Sequence, residues 1–131
     1  DESEELEAEA AGHGIGLIYL VAPTTTPDRI PYVANRSQGF LYAVSLAGVT
    51  GARKALPPGV KRFLRQVREV SPVPVAVGFG VSKPAHARQL APVADGVITA
   101  SALIDALGPD GKDVENMAAL VRSLREATVR S

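Results

Sequence analysis

The stretch Val73-Pro74-Val75-Ala76-Val77-Gly78-Phe79-Gly80-Val81-Ser82 decides the fold. From Val73 to Phe79 it is apolar without polar alternation, the pattern of a strand covered on both faces, and such strands belong to parallel sheets. Gly78 and Gly80 stand at its exit, where a residue without Cβ lets backbone N–H groups approach a ligand. Ser82 then reads as the cap of a helix over Lys83 to Leu90, with Pro84 in its first turn. A strand that turns through glycines directly into a helix is a βα unit.

The same grammar extends in both directions. Upstream, Phe40 to Ser45 is a strand, and the turn Ser45-Leu46-Ala47-Gly48-Val49-Thr50-Gly51-Ala52-Arg53 follows it. The next helix spans about Pro58 to Val70, where Val60, Phe63, Leu64 and Val67 recur at helical spacing and form one apolar face. Further upstream lies a strand, Leu17 to Ala22, read as buried on both faces and stopped by Pro23-Thr24-Thr25-Thr26. A helix from Pro27 towards Arg36 follows, interrupted by Pro31. An Ala/Glu-rich helix, Glu4 to Ala11, precedes that strand and is closed by Gly12-His13-Gly14. Downstream, Gly96-Val97-Ile98-Thr99 is a short fourth strand. It leads into a short helix, Ser101 to Ala106, a Gly108-Pro109-Asp110-Gly111 turn, and a last helix from Val114 to Thr128 with Met117, Leu120, Val121 and Leu124 on its buried face.

Strands alternating with helices, each strand hydrophobic throughout, specify an α/β fold of parallel βα units in a single domain covering residues 1–131. Four units build a small open sheet or half of an eight-stranded barrel, and the pattern leaves both open.

Composition narrows the function classes. Of the 131 residues, 46% are apolar and 21% charged, as in an ordinary globular protein. With 14 basic and 14 acidic side chains the formal net charge is zero, so no global field recruits nucleic acid or an anionic membrane surface. No cysteine is present for disulfides or thiolate ligands. No apolar run approaches the roughly 20 residues that span a bilayer, and the acidic start is the opposite of a basic signal-peptide start. The expectation is a soluble, cytoplasmic protein with no nucleic-acid or membrane partner.

In parallel α/β proteins the ligand lies at the carboxyl ends of the strands. Those exits, Ala22 to Thr26, Ser45 to Arg53, Gly78 to Ser82 and Thr99 to Ala102, hold glycines and hydroxyls but no Asp, Glu or His. Asp28 suits the first turn of its helix, where an anion offsets the dipole. Asp95 precedes its strand and belongs to the opposite, stabilising face. His13 also precedes a strand, and His86 is placed on an exposed helix face. General acid–base chemistry has no equipment here. Phosphate, by contrast, needs no titrating group. Gly51, Gly80 and the start of the helix at Ser101-Ala102 can direct several N–H donors at one dianion, with the Ser101 hydroxyl adding another.

The segments Leu20-Val21-Ala22-Pro23-Thr24-Thr25-Thr26-Pro27, Gly39-Phe40-Leu41-Tyr42-Ala43-Val44-Ser45, Gly48-Val49-Thr50-Gly51-Ala52-Arg53 and Pro74 to Ser82, in that order, resemble the tryptophan synthase α family. The resemblance covers nearly the whole chain but only the C-terminal half of the family, from the helix before the fifth barrel strand onward. It implies four strands of a (β/α)8 TIM barrel, a half-barrel. It also implies the retro-aldol cleavage of indole-3-glycerol phosphate to indole and glyceraldehyde 3-phosphate, with indole passed to a β subunit. By the same resemblance, Gly51, Gly80 and Ser101 are phosphate contacts with Thr50 and Phe79 beside them, Tyr42 lines the indole side, and Gly48 to Arg53 is the loop that closes over substrate. The family's usual Gly-Ser pair is Ala100-Ser101 here, and Leu46 stands where some members carry arginine. The family's two catalytic carboxylates sit on the second strand and the loop after it, so this chain holds no catalytic residue, metal ligand or cofactor site. Its expected partners are the phosphate substrate, the β subunit, and the missing N-terminal half-barrel or a second copy of itself. The alternative function is a non-catalytic, self-associating half-barrel that binds phosphate or a phosphosugar.

Overall fold

The computed structural model describes residues 2–44, 56 and 58–129. Its elements alternate as α1 (Glu2–Gly12), β1 (Leu20–Val21), α2 (Arg29–Arg36), β2 (Leu41–Val44), α3 (Val60–Val70), β3 (Val75–Gly78), α4 (Pro84–Leu90), β4 (Gly96–Val97), α5 (Ser101–Ala106) and α6 (Val114–Ala127). The four strands form one sheet in chain order, β1-β2-β3-β4, and every neighbouring pair is parallel. This is the expected α/β arrangement of consecutive βα units.

Register divides the strand residues between two faces. Leu20 lies opposite Tyr42, Val44 opposite Gly78, and Ala76 opposite Gly96. Val21, Leu41, Ala43, Val75 and Val77 point to the other face and are almost wholly buried. They share one core with Ile30 and Ala34 of α2, Val60, Phe63, Leu64 and Val67 of α3, and Ala87 and Leu90 of α4. Burying each such leucine, isoleucine, valine or phenylalanine contributes about 1.5–3 kcal/mol. All the helices that build this core cover the same side of the sheet.

The other side is open, which corrects the reading of Leu17 to Ala22 as buried on both faces. Leu20 is 56% exposed and Ile18 43% exposed, whereas Val21 is 1% exposed. Strands of a closed barrel are apolar on both faces because barrel-interior residues meet side chains from the opposite strands. Four strands supply only half of that interior.

Helix ends follow from local chemistry. Pro31 is tolerated because it occupies the first turn of α2, where an N–H has no intrahelical acceptor. The expected start near Pro27 moves to Arg29, whose N–H is taken by the Thr26 carbonyl in a preceding turn. Gly14, with φ +70°, ends α1, and the Ile15 N–H closes back on the Ala10 carbonyl at 2.9 Å. On α6, Leu124 and Ala127 are buried, but Val121 is 44% exposed, so it does not share the buried face assigned to it. Among the described residues, no helix is long and apolar enough to cross a membrane.

Candidate functional site

The carboxyl ends of β2, β3 and β4 and the segments leaving them enclose a recess of about 230 Å³, lined by Tyr42, Gly78, Gly80, Val81, Ile98, Thr99, Ala100 and Ser101. The structure therefore brings together Tyr42, Gly80 and Ser101 from three separate parts of the chain. Thr50 and Gly51 lie outside the described residues, as does the whole segment Gly48 to Arg53.

Gly80 has φ +69°, a left-handed conformation that a residue with a Cβ adopts at a cost of about 1–2 kcal/mol. That turn redirects the chain away from β3 and along the recess. On the far wall, Ala100 precedes α5 with φ −138° and ψ −64°. Its φ is negative, so the position does not demand glycine, although the φ/ψ pair lies outside the main strand and helix regions. Among the described residues, the N–H groups of Gly80, Ser101 and Ala102 have no acceptor, and the Ser101 hydroxyl has no partner. These groups are free to meet an anion.

Two hydrogen bonds hold the loop after β3. Thr99 Oγ1 donates to the Val81 carbonyl at 2.7 Å, tying it to the exit of β4. The Ser82 N–H donates to His86 Nδ1 at 3.3 Å, tying it to α4. Ser82 does not cap α4 with its side chain: the N-cap is Lys83, without a side-chain cap bond. The placement of His86 on an exposed face is likewise overturned, because it is 2% exposed. Its ring faces the apolar layer together with Leu90, four residues on, and that spacing was the signal available in the sequence.

Tyr42 stands on the open face of the sheet with its ring over Gly78, where only glycine leaves room for it. Phe79 behaves differently. Its ring is buried and meets Phe63 edge-on at 6.4 Å between centroids. What Phe79 can offer a ligand is its backbone.

The carboxylates lie elsewhere. Asp95 is at the opposite end of the sheet, where Oδ2 accepts the Val75 N–H at 2.9 Å and Oδ1 accepts from Arg68 at 2.9 Å. Asp28 precedes α2 and is held below the usual carboxylate range, chiefly by a hydrogen bond from the Thr26 side chain. His13 pairs with Glu9 on the exposed face of α1. Among the described residues, no group of three or more His, Cys, Asp or Glu side chains could hold a metal ion. Among the described residues, Tyr42 is the only titratable one that lines the recess, so these residues can bind an anion through amides and hydroxyls but bring no carboxylate or imidazole to move a proton.

Comparison with known proteins agrees with this architecture. The family model "Tryptophan synthase alpha chain" matches residues 1–129. The tryptophan synthase alpha chain of Chloroflexus aurantiacus is 44% identical over 132 residues, covering 99% of this chain and 50% of the relative. That of Deinococcus radiodurans is 48% identical over 119 residues, covering 90% of this chain and 44% of the relative. Among solved structures, a Mycobacterium tuberculosis tryptophan synthase chain superposes with a TM-score of 0.83 at 39% identity, covering 100% of this chain and 49% of its own length. A chain of the tryptophan synthase α2β2 complex from Pyrococcus furiosus gives 0.79 at 35% identity, with 95% and 50% covered. This chain thus spans about half the length of the relatives it matches. On its sequence, its four consecutive parallel strands and its likeness to these TIM-barrel chains, it belongs to the tryptophan synthase alpha chain family.

Proposed function

We propose that this chain supplies the phosphate-binding side of a tryptophan synthase α active site. The substrate is indole-3-glycerol phosphate, and the reaction is its retro-aldol cleavage to indole and glyceraldehyde 3-phosphate, a carbon–carbon lyase step in tryptophan biosynthesis. The observation that carries the reading is the recess at the strand exits, which Gly80, Ala100, Ser101 and Tyr42 line together. Free amides of Gly80, Ser101 and Ala102 and the Ser101 hydroxyl would take the phosphate oxygens, with Gly51 and Thr50 completing the cradle. Tyr42, on the open face, would line the indole side.

Proton transfer falls to residues beyond this chain. Cleavage needs one carboxylic acid to shuttle protons and another carboxylate to stabilise charge at the indole N–H, and among the described residues no carboxylate lines the recess. The chain alone is therefore inactive in this reading. It contributes substrate affinity, and the missing half-barrel contributes turnover. Exposed Leu20 on β1, with Ile18 just before it, favours such a covering partner, as does the absence of an outer neighbour for β1 and β4 among the described strands. A β subunit would receive the indole.

Mixing the purified chain with a separately prepared N-terminal half of a family member, and following indole release, tests the reading. Restored turnover is the expected result. A mixture that forms a complex, binds phosphate and still releases no indole would favour the second reading, a self-associating module that only holds phosphate or a phosphosugar. Light scattering against the 13.7 kDa monomer mass separates self-association from pairing with the other half.

A further inference from the structure

His86 is one of the most deeply buried polar side chains described, 2% exposed and flanked on α4 by fully buried Ala87 and Leu90. Its Nδ1 accepts the Ser82 N–H at 3.3 Å, so in the neutral ring the proton sits on Nε2. That Nε2 is buried without a hydrogen-bond partner among the described residues, and so is Ser82 Oγ. A buried donor without an acceptor opposes folding, and a leucine of similar size would fill the same apolar space without that penalty. What leucine lacks is the acceptor at Nδ1.

The acceptor acts at one particular place. Ser82 ends the short segment that begins at Gly80, and the preceding carbonyl, that of Val81, is the one held by Thr99 Oγ1 at 2.7 Å. The segment is thus pinned from both sides, to the exit of β4 through Thr99 and to α4 through His86. Gly80, at φ +69°, has the widest choice of backbone conformations in this stretch and the most to gain from being pinned. We infer that His86 is a positioning residue: through the Ser82 N–H it fixes the Gly80–Val81 backbone where it lines the recess. The inference rests on the phosphate reading of that recess. His86 does not touch the ligand and takes no part in proton transfer.

Two substitutions separate positioning from packing. His86→Leu fills the space and removes the acceptor, whereas His86→Asn places its Oδ1 close to the position of Nδ1 and keeps one. Inorganic phosphate binding by calorimetry, amide hydrogen exchange at residues 80–82 and thermal unfolding are measured for each. The leucine variant is expected to bind phosphate about tenfold more weakly and to exchange the Ser82 amide at least about tenfold faster, without a lower melting temperature. The asparagine variant should stay within about twofold of the unsubstituted protein in both. Unchanged affinity in the leucine variant, or equal losses in both variants, overturns the inference. If the unsubstituted protein binds no phosphate, the reading of the recess fails, and exchange at Ser82 alone decides whether His86 holds the loop: unchanged exchange in the leucine variant overturns that too. Should the leucine variant not fold, His86→Met removes the acceptor with a more adaptable side chain.

Discussion

The Tyr42 side chain lies directly over Gly78: a Cβ built on that glycine would stand 2.7 Å from Tyr42 Oη and 2.9 Å from Cε1. The two residues are on neighbouring strands with the side chains on the open face, and β2 and β3 pair Val44, not Tyr42, with Gly78. The tyrosine therefore reaches diagonally along the sheet towards the strand exits, and the missing side chain of Gly78 makes the path. Gly78→Ala should push the ring out of the recess and destabilise the fold by about 1–3 kcal/mol through overpacking. Removing the ring first should relieve the clash, so Gly78→Ala in a Tyr42→Ala background should cost less than about 1 kcal/mol. Urea unfolding of the four proteins in this cycle measures the coupling. Equal costs in the two backgrounds would show that the ring does not depend on the glycine.

Gly80 is under a backbone constraint. With φ at +69° it occupies a region that β-branched residues avoid, so Gly80→Val should both strain the turn and put methyl groups beside the anion site. Phosphate affinity should fall below detection by calorimetry while far-UV circular dichroism stays close to that of the unsubstituted protein. Undiminished phosphate binding would mean that this turn does not hold the anion.

The contrast between these two glycines shows how far the residues alone could be read. Order and type of the elements were legible because each apolar run ends at a glycine, proline or hydroxyl-rich turn, and α5 falls on Ser101–Ala106 as expected. Tyr42, Gly80 and Ser101 line one recess; the resemblance singled out all three, and Gly80 and Ser101 also followed from their place at strand exits. What could not be read was which face of each strand is covered. An unbroken apolar run looks the same whether its second face meets neighbouring strands or is left open, and Leu20 at 56% exposure belongs to the open case. His86 was misplaced for a related reason. An isolated imidazole in a polar-looking helix suggests solvent, and only the fold shows that its Nδ1 meets the Ser82 N–H across four residues.

Asp95 is expected to be structural and nothing else. It joins the start of β3 to the end of α3, since one carboxylate oxygen accepts the Val75 N–H and the other accepts from Arg68. Asp95→Ala leaves that N–H without its acceptor and should cost about 1–3 kcal/mol. Phosphate affinity should not change, because the residue sits at the amino end of the strands. A weakened phosphate site in a variant of normal stability would contradict that division between the two ends of the sheet.

Acid should act first at the attachment of α1. Among the described side chains of that helix only Ala10 is buried, and Glu7 ties it to α2 and to the segment entering β1, accepting from Arg36 Nε at 2.8 Å and Nη2 at 2.9 Å and also from the Tyr19 hydroxyl. The Arg36 hydrogen bonds, followed by that of Tyr19, hold the Glu7 carboxyl below its ordinary range, and the same contacts hold Arg36 and Tyr19 above theirs. A carboxyl lowered on folding contributes stability that is complete above the unfolded-state pKa, about 4.3 for glutamate, and is lost as pH falls through the lowered folded value. Glu7→Gln should therefore lower the melting temperature at pH 7 and flatten its fall below about pH 4, so that the two proteins converge in strong acid. Salt should weaken the effect, because the pair is partly open to water. Melting curves from pH 7 down to pH 2 measure this, and a constant offset between the two proteins across that whole range would show that Glu7 does not act through its charge.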